Sequence, residues 1–418
     1  VAKRIRNKRS TPWKWRAEWL AYECVEKIAG MLPATCVFRA GEIIGGLAWH
    51  LMPLRRKIVL KNLRIAFFGE YDLPTLQRMA HESFRRTGAN MFSTAHTARL
   101  SGVQIDAMLT VENQELIEEA LAPAKGLVLM PSHMGNWEIL SRMNRIFPQG
   151  HKIGAFYRPL NNPLMNARVV AQRETDGTHL FAKKDNLHQV AGFLREGGLV
   201  GILADQRVGK QGELIRFFGR LTRASPLPSL LARRSKSEML TLSLLTDSPG
   251  KWRVRYHPVA PPYKTKDCME ALEVAMKASP LDVFWFQDRW KVFIRPRFTI
   301  RDWLGPERDD SGKPHRALLW LADGREAWQL PEAWIHGDVN YEFVLASGQT
   351  PPSWISSDRT IYRVSNARDV RSLRKALCTI DLAAALPVDY ILAREASTAL
   401  AEAARRESIL LVSLPSES

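Results

Sequence analysis

His133 and Glu138 are the residues of this chain best placed to do chemistry. They lie in the run 126–140, where the apolar stretch Gly126-Leu127-Val128-Leu129-Met130 meets Pro131 and Ser132. The pattern reads as a strand that ends in a tight turn, with His133 at the turn and Glu138 in the first turns of a following helix. A neutral imidazole takes a hydroxyl proton near neutral pH, and a carboxylate on its other nitrogen fixes the tautomer and stabilises the imidazolium. Active sites of α/β proteins gather at the carboxyl ends of strands. No Ser or Cys nearby forms a nucleophile elbow, so the spacing predicts a base that activates a substrate hydroxyl, with Glu138 as its orienting acid. Asn136 falls in the same turn and is a substrate-binding candidate. Gly135 removes a Cβ where a substrate could approach.

Further candidates follow along the chain. Tyr157-Arg158-Pro159 closes a second apolar stretch, and an arginine at a strand end holds a phosphate or carboxylate bidentately. Asp205 closes a third, positioned to orient Arg158 or to line the pocket. Arg207, Lys210, Arg216, Arg220 and Arg223 crowd one segment with Phe217 and Phe218 between them. Exposed aromatics among cations suit a phosphorylated amphiphile and would also suit RNA; a solvated basic loop is the plain alternative. The histidines form no H-E-x-x-H pair and the four cysteines no C-x-x-C pair, so neither a metal site nor a disulfide framework is expected. A reducing compartment fits.

These groups need a scaffold. From 110 to 300 the pattern alternates short apolar strands (126–130, 152–156, 199–204, 239–245, 252–257) with helices (136–145, 162–175, 186–196, 226–235, 267–278). That alternation predicts an α/β fold, a mixed sheet flanked by helices. Residues 1–100 are expected to form a basic helical region: Trp13, Trp15 and Trp19 stand among cations, an arrangement suited to the lipid headgroup layer. Pro33, Arg39 and Glu42 interrupt the most apolar stretch, so a monotopic association is predicted rather than a bilayer crossing. A cleavable signal peptide is not expected. Residues 301–316 read as a linker. Beyond them, strands at 317–322, 341–346, 360–364, 389–393 and 408–414 alternate with helices at 368–380 and 395–407, a small C-terminal α/β domain.

The net charge of +17 is unevenly spread: 47 Lys/Arg against 27 Asp/Glu over residues 1–305, but 13 against 16 over 306–418. The basic excess therefore accompanies the histidine motif and calls for an anionic partner: a phosphorylated lipid, a membrane surface, an acidic carrier protein or nucleic acid. The apolar N-terminal region disfavours nucleic acid.

Taken in order, these motifs resemble the lysophospholipid acyltransferase superfamily, and within it the late acyltransferases of lipid A biosynthesis. The resemblance runs over about residues 25–300. It rests on Arg55-Arg56-Lys57 with Asn62-Leu63 and Ala66-Phe67, on Ser132-His133 through Glu138, and on Tyr157-Arg158-Pro159 with Asn162-Pro163. Asp205-Gln206, Phe217-Phe218-Gly219, Trp285-Phe286 and Arg289-Trp290-Lys291 complete it. It implies an enzyme without cofactor or metal that moves an acyl chain from acyl carrier protein or acyl-CoA to a hydroxyl of a lipid A precursor or similar anionic glycolipid. His133 and Glu138 would be catalytic, and Asn136, Tyr157, Arg158, Asp205, Arg207, Arg216 and Arg220 would bind substrate. Backbone amides near the turn, with Arg158, would hold the oxyanion. The place would be the cytoplasmic face of the inner membrane. A lysophospholipid, aminolipid or phosphatidylinositol mannoside as acceptor, and a non-catalytic membrane scaffold, are the alternatives. Residues 317–418 stand outside the resemblance. Their strand–helix order is similar to the nucleotide-binding half of heptosyltransferase-type glycosyltransferases, without its phosphate-gripping glycine loop.

Overall fold

The computed structural model describes residues 12–122, 125–142, 147, 151–182, 186–209, 211–290, 315–322, 339–394 and 396–414. Most of the basic N-terminal segment, Lys210, Lys291 and nearly all of the expected linker lie outside these residues. The chain divides into two compact units. One takes residues 1–48, 82–206 and 224–284, and the other takes 49–81, 207–223 and 285–418. Segments thus alternate between units where the sequence suggested consecutive blocks.

The first unit is built on a seven-stranded sheet. Its strands are β1 (Leu109–Glu112), β2 (Leu127–Pro131), β3 (Ile153–Tyr157), β4 (His179–Ala182), β5 (Leu199–Gly201), β8 (Glu238–Ser248) and β9 (Lys251–Pro258), in the order β1-β9-β8-β2-β5-β3-β4. The β8–β9 hairpin is antiparallel and every other described pairing is parallel. Both faces of β2 are covered, which is why Leu-Val-Leu-Met-Pro is continuously apolar and continuously buried. β9 has a covered and an open face, so Trp252, Val254 and Tyr256 are buried while Lys251, Arg253, Arg255 and His257 are not. Helices α6 (Gln114–Leu121), α7 (Pro163–Glu174), α8 (Leu187–Arg195), α9 (Leu227–Ser235) and α10 (Thr265–Lys277) flank the sheet.

Helices α1 (Trp13–Met31) and α2 (Ala34–Leu51) precede the sheet, and α4 (Leu73–Thr97) crosses into this unit at its residue 82. Glu26 on α1 is fully buried and is held by Arg168 and Gln172 of α7. Gly41 and Gly45 of α2 meet the backbone of α4, where a Cβ at Gly41 would lie 2.6 Å from the Gly88 carbonyl oxygen. No helix among the described residues is long and apolar enough to cross a membrane.

The second unit contains α3 (Pro53–Ala66), the hairpin β6 (Glu213–Phe217) and β7 (Arg220–Ala224), and a five-stranded sheet. That sheet consists of β10 (His315–Trp320), β11 (Val339–Ala346), β12 (Ile361–Val364), β13 (Tyr390–Arg394) and β14 (Leu410–Leu414), with α11 (Val370–Leu382) before β13 and α12 (Thr398–Arg406) before β14. All its described pairings are parallel, in the order β12-β11-β10-β13-β14. In chain order this is 3-2-1-4-5, the arrangement of a doubly wound sheet. The hairpin turns on Phe218 (φ +52°) and Gly219 (φ +74°), both left-handed, as a two-residue turn between twisted strands demands.

Candidate active site

β2 ends at Pro131, and the turn after it is fixed on three sides. The Phe284 amide donates to the His133 carbonyl (2.8 Å), and the Gly135 amide donates to the Asp282 carbonyl (2.9 Å). Gly135 has φ +58°, and a Cβ there would come within 2.5 Å of the Leu244 carbonyl oxygen. Its glycine is thus explained by backbone geometry and the approach of β8, rather than by room for a substrate. The Trp137 ring lies edge-on to the His133 imidazole (5.3 Å between centroids) and against Phe284.

The carboxylate on His133 belongs to Asp205, which follows β5. Its Oδ1 lies 2.7 Å from His133 Nδ1. Asp205 is only 5 % exposed and the His133 side chain 18 %. Burial alone would disfavour the imidazolium, but the charge and hydrogen bond of Asp205 outweigh it and hold the His133 pKa above its ordinary value. In the same way burial opposes the Asp205 carboxylate, and His133 pulls its pKa below the usual range. With Nδ1 engaged, Nε2 has no hydrogen-bond partner among the described residues. This is the arrangement of a histidine base whose tautomer is set by a buried carboxylate.

Glu138 does not take the orienting role expected from its spacing. Residues Trp137–Arg142 wind as a 3₁₀ helix, which turns Glu138 towards α7. There Arg173 grips it bidentately through Nε (2.8 Å) and a terminal nitrogen (2.7 Å), while Trp137 Nε1 donates to it at 3.2 Å. Glu138 acts on His133 only as a nearby charge, weaker than Asp205.

Three other expectations need correction. Asn136 is fully buried; its carboxamide accepts from Thr94 (2.8 Å) and donates to Thr97 (3.1 Å), so it anchors the turn to α4 instead of binding substrate. Arg220 is also fully buried, in the second unit, ion-paired with Asp389. Phe217 and Phe218, expected to be exposed, are buried there with Trp285 and Trp290. Arg207 and Arg216 also fall in that unit, both half-buried. Tyr157 and Arg158 stand where the sequence put them, at the end of β3; Tyr157 is half-buried and Arg158 exposed.

The first unit holds an apolar cavity of about 80 Å³ that His133 itself does not line but its ring neighbour Trp137 does. Pro131, Trp137 and the Glu138–Arg173 pair form one part of its wall, and Tyr157 another. Leu129, Leu140, Phe147, Ile153 and Leu203 supply apolar surface. Gly154 and Gly201, on neighbouring strands, also line it; a Cβ at Gly154 would come within 2.7 Å of the Phe181 ring, whereas at Gly201 the nearest atom is 3.8 Å away. Arg173 went unnoticed in the sequence because nothing local marks it; only the chain's return through α7 brings it to Glu138.

Comparison with known proteins places the chain in a family. Over 271 residues the chain is 23 % identical to the lipid A biosynthesis palmitoleoyltransferase of Escherichia coli K12, covering 62 % of this chain and 87 % of that protein. The lipid A biosynthesis acyltransferase of Shigella flexneri matches to the same extent. The E. coli lauroyltransferase is 26 % identical over 183 residues, 44 % of this chain and 58 % of that protein. Residues 3–292 match the family described as bacterial lipid A biosynthesis acyltransferase. The chain belongs to that family and is an acyltransferase.

Proposed function

We propose that the protein transfers a fatty acyl chain from an acyl thioester, carried by acyl carrier protein or CoA, to a hydroxyl of a lipid A precursor or similar anionic glycolipid. His133 Nε2 removes the hydroxyl proton as the oxygen attacks the thioester carbonyl, and the thiolate leaves. Asp205 holds the imidazole through Nδ1 and stabilises the imidazolium. The observation that carries this reading is the 2.7 Å contact between His133, just past β2, and the nearly buried Asp205 carboxylate, with Trp137 against the imidazole also lining an apolar cavity. The cavity is suited to the start of the acyl chain. Each buried methylene contributes roughly 0.8 kcal/mol, enough for chain length to be sensed. Arg158, exposed at the end of β3, is placed to meet an anionic group.

Membrane association belongs to the same proposal. α1 and α2 carry large exposed apolar side chains: Trp13, Leu20, Ile28 and Met31 on the first, Ile43, Leu47 and Leu51 on the second. Exposed Lys14, Arg16, Lys27 and Arg39 stand among them. Exposed apolar side chains with cations on the same helices fit the headgroup boundary of an anionic leaflet, the cytoplasmic face of the inner membrane.

The test is direct. Purified protein is incubated with acyl carrier protein or CoA bearing chains of graded length, together with a lipid A precursor or a lysophospholipid, and products are identified by mass. Acylation of the glycolipid, lost in His133→Ala, is expected. Turnover of the lysophospholipid alone would move the acceptor to the alternative class, and thioester turnover unchanged in His133→Ala would overturn the mechanism.

A further inference from the structure

The second unit holds a cavity of about 300 Å³ that acyl transfer at His133 does not use. One wall is a single face of α3, where Arg56, Lys57, Leu60, Lys61 and Arg64 recur at helical spacing. The other walls come from α11, from Val388 before β13 and from Ile409 before β14. Much of the lining thus lies beyond residue 292, outside the stretch that matches the acyltransferase family.

The charges in this cavity do not balance. Its four cations face two acids, Asp381 and Glu407. Glu407 is shared between Lys57 and Arg374. Asp381 is taken by Arg64 (2.6 Å) and by the Val388 amide (2.7 Å). Lys61 reaches Asp288 only at 3.8 Å. Arg56 has no acidic partner among the described residues and lies over the Trp49 ring, 5.3 Å from its centre. The remaining wall is apolar: Leu60 and Leu382 are half-buried and give it its open surface, with the already buried Val388 and Ile409 behind them. Filled with water, that wall forfeits the free energy of burial. The volume is at the lower end of the roughly 300–1,000 Å³ of small-molecule sites.

We propose that this cavity binds a small anionic amphiphile. Its phosphate or carboxylate sits against Arg56 and Lys61, and its apolar body lies on Leu60, Leu382 and Ile409. The ligand is separate from the acyl donor and acceptor handled at His133.

Cys378 lines the cavity, half-buried, and reports on occupancy. Cys24 and Cys36 are exposed and Cys268 is buried. In the full-length Cys24→Ser/Cys36→Ser protein, N-ethylmaleimide labelling of Cys378 is followed by peptide mass. Octyl phosphate, octanoate or octanol is added below its micellar or solubility limit. At about ten times Kd a bound anion slows labelling roughly tenfold, as the unoccupied fraction falls. Protection by either anion, absent with octanol and weakened by Arg56→Gln, supports the proposal, and the stronger anion identifies the head group. Failure of both anions, equal protection by octanol, or protection untouched by Arg56→Gln overturns it. Titration calorimetry of octyl phosphate into wild type and Arg56→Gln makes the same comparison without the thiol. Neither result bears on acyl transfer at His133.

Discussion

Asp205 and Glu138 are both carboxylates near His133, and substitution separates their roles. Asp205→Asn keeps the shape but removes the charge on Nδ1, so kcat is expected to fall by about 10²–10⁴-fold, the usual contribution of a tuned general base. The pH profile gives the sign. The base works only when neutral, so kcat/KM rises with pH through the His133 pKa, which Asp205 holds above the ordinary value of about 6.5. Without the Asp205 charge, burial dominates and the acid limb moves to lower pH. An unmoved limb in Asp205→Asn would dissociate the pair from the base. Glu138→Gln strips the charge from the Arg173 clamp. It is expected to destabilise the fold by about 1–3 kcal/mol in urea unfolding, while kcat falls less than in Asp205→Asn. His133 as the candidate base was legible in the sequence because an imidazole at a strand end advertises itself. Its partner was not, because Asp205 follows β5, 72 positions later, and only the β2–β5 pairing brings the two together.

Elements were more legible than contacts. The strands expected at 126–130, 152–156 and 252–257 formed within a residue, because they carry strong apolar patterns, while β8 runs three residues past the expected 245 and β5 stops three short of the expected 204. β1 and β4, four residues each, and the β6–β7 hairpin were missed. Four residues give too little pattern to detect, and the hairpin's charged residues disguised a turn whose two phenylalanines are buried. The stretch after His133 read as a regular helix but winds as 3₁₀, and that difference redirected Glu138. The α2 glycines make a sharp prediction. A Cβ at Gly45 would strike the Phe84 carbonyl and come within 2.9 Å of Arg85 Cα, whereas at Gly46 the nearest atom is 3.7 Å away. Gly45→Val should cost about 1–3 kcal/mol through overpacking, with a lower Tm, and Gly46→Ala should be neutral or gain up to about 1 kcal/mol from helix propensity. The outer face of the same helix tests membrane association. Ile43→Asp/Leu47→Asp places two charges on exposed positions without touching the packed side. Co-sedimentation with anionic vesicles should fall sharply while His133-dependent thioester turnover in detergent persists; retention on vesicles would sink the interfacial role of α2.

At the scale of the whole molecule, charge asymmetry separated residues 306–418 from the rest, and the strand–helix alternation there was read correctly. What sequence could not show is that this segment shares a compact unit with 49–81 and 207–223. Buried charges explain why it must. Arg64 on α3 is 1 % exposed, and its guanidinium donates to Asp381 and to the carbonyls of Ala384, Ala385 and Leu386. Arg220 on β7 is fully buried against Asp389, which also meets His315 at 3.2 Å. Burial would raise the Asp389 carboxyl, but Arg220 and His315 hold it down at about 2, so it stays ionised across the physiological range. Breaking a buried pair on one side leaves an uncompensated charge worth about 3–5 kcal/mol. Asp389→Asn should therefore lower stability by about that much in urea unfolding, whereas Arg220→Met/Asp389→Leu, which removes both charges, should recover most of the loss. A chain cut after residue 314 strands both arginines at once and should be recovered aggregated or poorly folded. A well-folded truncated protein, with the cooperative unfolding of the full chain, would show that residues 315–418 are an appendage rather than part of the second unit's core.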